Sequence, residues 1–154
     1  MTANKKISFK TSDSVTIFGN WREAGKGSLA VLLLHMMPAT KESWSEFQEK
    51  LFDARYSSLA IDLRGHGESI NGSGARLDYK EFSDNEHAAK INDVVAAVSW
   101  MQKNGAETEK IALIGASIGA NLAIQFLAEH PDIPGAAALS PGLDYKGIVA
   151  MPLA

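Results

Sequence analysis

Ser117 sits between two glycines in Gly115-Ala116-Ser117-Ile118-Gly119, and the apolar run Ile111-Ala112-Leu113-Ile114 leads into it. A serine on a sharp turn from strand to helix is pushed into the open, where its hydroxyl can act as a nucleophile. Gly115 and Gly119 leave the space that strand and helix need to approach each other. The helix N-terminus beyond the turn offers unpaired N–H groups and a positive dipole end, so the Ile118 N–H is placed to hold an oxyanion. Acyl transfer through a serine is the chemistry such an arrangement serves. The same five residues would also fit a glycine-rich turn with an inert serine. The strand pattern before them and the apolar-periodic helix after them favour the nucleophile elbow.

A serine nucleophile needs a base, and the chain has four histidines. His130 stands beside Pro131 at the far end of the elbow helix, where a cation is favoured by the dipole, so it is expected to cap. His87 falls in the first turn of a capped helix and is expected to be solvated. His35 and His66 follow apolar runs, near the presumed site. Among the carboxylates, Asp144 beside Gly142 reads as a turn residue, and Asp62 and Glu68 read as hydrogen-bonding partners of a glycine-rich loop. No pair has metal-ligand spacing, so neither a metal nor a cofactor is expected.

The elements that must carry these residues follow from periodicity. Ile7–Lys10 and Val15–Trp21 alternate apolar with polar around Thr11-Ser12-Asp13-Ser14, which predicts a half-exposed hairpin. Leu29–Leu34 and Ser58–Leu63 are apolar without alternation, as expected of parallel strands covered on both faces. Between them, Ser43 and Glu46 have capping-box spacing, and Trp44, Phe47, Leu51 and Phe52 form one helical face. Ser83 and Glu86 repeat that spacing and open one helix, with Ile91, Val94, Val95, Val98 and Met101 at helical intervals, up to Asn104-Gly105. Lys110–Ala116 is the elbow strand, Ile118–Glu129 its helix, and Gly135–Leu139 one more strand. The order β-β-β-α-β-α-β-α-β implies an α/β domain, a mostly parallel, doubly wound sheet with helices on both faces. Residues 1–154 read as a single domain.

The 154 residues are 45% hydrophobic, enough for one core, and the net charge of −3 is spread without a basic stripe. Nucleic acid and anionic membranes are therefore not expected partners. The absence of cysteine excludes disulfides and thiolate metal sites. No apolar signal core or membrane-length run is present, and a cytoplasmic chain is expected.

Three stretches together resemble the α/β-hydrolase superfamily: Leu32-Leu33-Leu34-His35-Met36-Met37-Pro38, Asp62-Leu63-Arg64-Gly65-His66-Gly67-Glu68-Ser69, and the elbow Gly115–Gly119. The resemblance implies Ser117 as nucleophile and an oxyanion hole made by the N–H groups of Met37 and Ile118. It also implies structural roles for His35 and His66. Met36 departs from the pattern, since the family usually has glycine directly after that histidine. In the family the acid and the base follow the nucleophile in chain order. Here the sequence stops soon after the strand that follows the elbow helix, so a core truncated to the family's N-terminal two-thirds is expected. The parent activity implied is ester or thioester hydrolysis on a small-molecule substrate, with acid and base missing and this chain nearly inactive. The alternatives are a non-catalytic interaction or structural domain, or a site completed in trans by another chain. Stopping after Gly135–Leu139 should leave an uncharged sheet edge, and a homodimer through that edge or the uncovered face beside it is expected.

Overall fold

The computed structural model describes residues 4–150, and all structural statements below refer to them. Six strands form one sheet in the order β1-β2-β4-β3-β5-β6. β1 (Lys5–Lys10) and β2 (Thr16–Arg22) are the expected antiparallel hairpin, and β2 pairs antiparallel with β4 (Ser57–Ile61). The rest is parallel: β3 (Ala30–Leu34) lies between β4 and β5 (Ile111–Ala116), and β6 (Gly135–Leu139) pairs with β5.

β3 and β4 are buried along their whole length, because helices cover both of their faces. On one face α3 (Ile91–Lys103) and α4 (Ile118–Glu129) bring Val94, Met101, Leu122 and Phe126 onto Leu32, Leu34 and Leu113. On the other, α1 (Ser45–Asp53) sets Leu51, Trp44 and Phe47 against Val31, Leu33 and Ala60. Successive residues of a strand point to opposite faces, so an unbroken apolar run is what a two-sided core requires. On the α1 side of β5 and β6 the cover ends: Ile114 is only half-buried, and its β6 partner Ala137 is exposed. β6 has one neighbour, β5, and its other edge is unpaired.

Three local expectations are corrected. Ser43 and Glu46 form no capping box. A 3-10 turn over Lys41–Trp44 precedes α1, and the Ser43 hydroxyl instead donates to the Thr40 carbonyl at 2.8 Å. Phe52 leaves the α1 face for the guanidinium of Arg22, 4.7 Å from its ring centre. The helix opened by Ser83 is two helices, α2 (Asp84–Ala88) and α3, joined by a tightened turn in which Lys90 and Asn92 donate to carbonyls three residues back. The Ser83–Glu86 capping box itself is present. Beyond β6, a short hairpin of β7 (Asp144–Tyr145) and β8 (Ile148–Val149), unforeseen in the sequence, buries Ile148 in the main core.

Candidate functional site

Ser117 stands between β5 and α4 with φ 54° and ψ −117°, a conformation that a residue with a side chain enters only under strain. Close packing enforces it. A methyl on Gly115 would run into the Gly119 carbonyl of the elbow's own helix, whereas one on Gly119 would meet the carbonyls of Leu34, which ends β3, and of His35, which follows it. The two glycines thus do different work, the first closing strand on helix and the second seating the helix on the neighbouring strand. Gly115→Ala is expected to destabilise by about 3 kcal/mol or more, at the upper end for overpacking, because its obstacle is backbone that cannot rotate away. Urea unfolding checks this, and a neutral midpoint would refute the packing.

The Ser117 N–H donates to the Leu139 carbonyl at 2.9 Å, which ties the elbow to the end of β6, and its hydroxyl makes no hydrogen bond to any described residue. Ile118 begins α4, so its N–H has no helical acceptor four residues back. On the other side β3 runs out through His35 and Met36 to Met37, whose peptide bond to Pro38 is cis. The Met37 N–H is likewise not taken by a described acceptor. Since Leu34 pairs with Gly115, β3 and β5 end side by side, and Met37 and Ser117 both follow from the carboxyl end of the sheet.

No histidine is hydrogen-bonded to Ser117, and three of the four have a ring nitrogen engaged elsewhere, whereas neither ring nitrogen of the buried His66 has a hydrogen-bond partner among the described residues. His35 is fully buried. Its Nε2 accepts from the Leu63 N–H at 3.0 Å, and its Nδ1 lies 2.9 Å from the Met36 carbonyl. Burial pushes it down to about 4. His66 is sandwiched against Tyr79, with ring centres 3.9 Å apart, and burial, with the charges of His35 and Lys90, lowers it to about 2. His130 lies at the end of α4, stacked on Phe126, with Nδ1 2.9 Å from the Phe126 carbonyl, as a cap should. His87 corrects an expectation, because it is buried, not solvated: its Nδ1 lies 2.6 Å from the Lys90 amine, and burial lowers it to about 4.

The carboxylates take the structural roles read for them. Asp144 is exposed and accepts from the Gly147 N–H at 2.8 Å, closing the β7–β8 turn. Asp62 is fully buried and accepts from the N–H groups of Lys41 and Glu68 and from the Lys41 amine at 2.7 Å. Lys41 also reaches Glu68 and Glu42 at 2.8 and 2.9 Å. Burial alone would lower its pKa, yet the hydrogen bonds to these three carboxylates outweigh it and raise the pKa. Arg64 similarly binds Asp93 and Asp13, and Lys90 is a fully buried amine, pushed down to about 8 by burial. No group of three His, Asp or Glu side chains that could hold a metal occurs among the described residues.

Two residues escaped sequence reading. Nothing local marks Lys41 as the partner of a carboxylate 21 residues away. Asn121 is the fourth residue of α4 and fully buried. Its carboxamide accepts from the Gly142 N–H at 3.0 Å and donates to the carbonyls of Gly142 and Ile148 at 3.1 and 2.7 Å. A lone amide within the apolar run Ile118–Ala123 was the available signal.

The chain belongs to the family described as alpha/beta hydrolase fold, whose model matches residues 30–152. Among curated proteins it is 30% identical over 128 residues to a putative 2-succinyl-6-hydroxy-2,4-cyclohexadiene-1-carboxylate synthase of Bacillus subtilis, covering 81% of this chain and 42% of that protein. To a thermostable monoacylglycerol lipase of a Bacillus species it is 27% identical, covering 82% and 46%. Among solved structures, an esterase of Pyrococcus furiosus, Pf2001, superposes with a TM-score of 0.74 at 28% identity, over 90% of this chain and 52% of that one. The chain thus spans about half the length of these relatives. No helix among the described residues is long and apolar enough to cross a membrane.

Proposed function

We propose that Ser117 is the nucleophile of an acyl-transfer centre that hydrolyses esters or thioesters, with the N–H groups of Met37 and Ile118 holding the oxyanion. The observation that carries this reading is the strained Ser117 backbone at the strand–helix turn, with the Ile118 N–H unpaired beside it. Strain of this kind persists only where the surrounding structure enforces it, and it aims the hydroxyl into the open. The esterase and lipase among the relatives support the same chemistry. The Ser117 hydroxyl would attack the carbonyl, the oxygen would take the negative charge between the two N–H groups, and a base would receive the hydroxyl proton. No histidine is hydrogen-bonded to Ser117, three are engaged elsewhere and His66 is buried against Tyr79, so the base and its acid are supplied from outside the described residues. An organophosphonate probe should therefore label Ser117 slowly and stoichiometrically, with peptide mapping to that residue. Labelling elsewhere, or none, would overturn the assignment, and rapid labelling would show that a base is already in place.

The lack of a hydrogen bond from any described histidine to Ser117 favours a second reading, a site completed by another chain or a domain whose purpose is interaction. A second copy of this chain suits the free edge of β6, because no charged residue from Gly135 to Leu139 blunts it. Ala137→Lys places a charge on the uncovered face beside Ile114 and should convert a dimer to a monomer by light scattering. A monomer at micromolar concentration before the substitution refutes this pairing.

A further inference from the structure

A cavity of about 300 Å³ opens at the amino ends of the parallel strands, the pole of the sheet opposite Ser117. It lies where the β2–β3 loop passes the starts of β3 at Ala30 and β4 at Ser57 and meets the end of α3 at Asn104 and Gly105. Ser117 follows the carboxyl end of β5, so the length of the sheet separates the two. The backbone keeps this hollow unfilled. Gly25 and Gly105 have φ of 148° and 100°, which favour glycine, and a Cβ on either would meet no atom within 4 Å.

Polar groups on the walls have hydrogen-bonding capacity left over. The Ser57 hydroxyl is buried, accepts from the Ala24 N–H at 2.9 Å and lies 2.6 Å from the Ser28 hydroxyl. Two hydroxyls carry two hydrogens and the contact between them uses one, so one O–H donor of the pair has no acceptor among the described residues. A donor withdrawn from water without a partner costs free energy that a ligand oxygen would recover. Asn104 supplies the complementary function. Its amide nitrogen donates to the Trp100 carbonyl at 2.8 Å, while its Oδ1 accepts from no described residue.

Two further features narrow the ligand. Trp21 brings an aromatic surface, packed edge to face with Trp100 at 5.5 Å between ring centres. The charged side chains on the walls are one carboxylate, Glu23, and one ammonium, Lys26, which sum to zero. An ion would leave water for walls that carry no net opposite charge, whereas a hydroxyl can both accept from the serine pair and donate to Asn104.

We infer that this cavity binds a small, uncharged, hydroxyl-rich ring of monosaccharide or cyclitol size. The C–H face of the ring lies on Trp21, and its hydroxyls bond the Ser28–Ser57 pair and Asn104 Oδ1. A few placed polar groups beside an aromatic wall are the usual composition of a small-molecule site. The inference is independent of the role of Ser117.

Methyl α-glucoside, methyl α-galactoside and myo-inositol, titrated into the isotope-labelled 154-residue chain and followed by amide NMR, test it. At least one should give saturable shifts with a Kd on the order of 1 mM, as expected for a ligand of about a dozen non-hydrogen atoms. The shifts should fall on residues 23–28 and 104–106 and on the Trp21 indole, and Ser117→Ala should leave them unchanged. Asn104→Ala, at an exposed position, should weaken binding severalfold with the urea midpoint of the parent. Glucuronate and glucosamine should bind more weakly than the neutral rings. No saturable shift with any neutral probe, shifts centred on the loops around Ser117, tighter binding of either charged sugar, or unchanged affinity in Asn104→Ala each overturns the inference and leaves the reading of Ser117 standing.

Discussion

On p-nitrophenyl esters the 154-residue chain is expected to give a Ser117-dependent rate far below that of an ordinary esterase. An oxyanion hole and substrate contacts without a working triad still accelerate by about 10³ to 10⁴ over water, whereas intact enzymes typically turn over at about 1–10³ per second. The reason is geometric. His35 has both ring nitrogens engaged with backbone groups, His87 faces Lys90, His130 caps the far end of α4, and His66, whose ring nitrogens have no partner, is buried in a stack on Tyr79. An unassisted hydroxyl is a weak nucleophile, so the missing step is proton removal and not binding. Adding imidazole should raise the rate of the parent above imidazole's own hydrolysis of the ester, while Ser117→Ala shows no excess over that protein-free background. Turnover at an ordinary enzymatic rate, abolished by Ser117→Ala, would show that one of the four histidines rearranges to serve as base.

Mild acid should unfold this protein. His35, His66 and His87 are all held below their unfolded value of 6.5, chiefly by burial, at about 4, 2 and 4. Groups whose pKa is depressed on folding contribute stability that is present above the unfolded pKa and lost as pH falls below it, because the unfolded chain takes up the protons first. Each such histidine withdraws up to about 1.4 kcal/mol per pH unit below 6.5. Asp93 acts in the opposite sense. Burial raises it to about 6, so the folded state takes up that proton first and offsets one histidine between pH 6 and 3.8. The net loss is about 2–3 kcal/mol per pH unit near pH 5, enough to exhaust the stability of an ordinary domain within a few units. Urea titrations at pH 7, 6 and 5 read the slope directly, and His66→Phe, which removes one titrating ring but keeps an aromatic to stack on Tyr79, should flatten it. A constant unfolding free energy from pH 7 to 4.5 would mean that these rings are protonated in the folded state.

Much of this architecture was legible in the chain because it rests on local patterns. A short unbroken apolar run such as Ala30–Leu34 fits a strand covered on both faces, and Gly115 and Gly119 around Ser117 specify a turn that larger residues could not make. The boundaries of α4 and β6 followed from the same rules, since Pro131 and the residues around it stop a helix wherever they occur. Hidden from the sequence were contacts between residues distant along the chain. Lys41 is buried where Asp62, Glu68 and Glu42 converge on it, and His87 is buried with its ring against the Lys90 amine, at the junction of α2 and α3. Capping spacing likewise gave the right answer at Ser83 and the wrong one at Ser43, which lies inside a 3-10 turn over Lys41–Trp44. Periodicity reports which face of an element is apolar, and so determined the sheet and the elbow. Which polar groups meet inside, and hence which histidines are spoken for around Ser117, was decided by tertiary packing, because a buried charge settles wherever its partners are and not where its neighbours in sequence would put it.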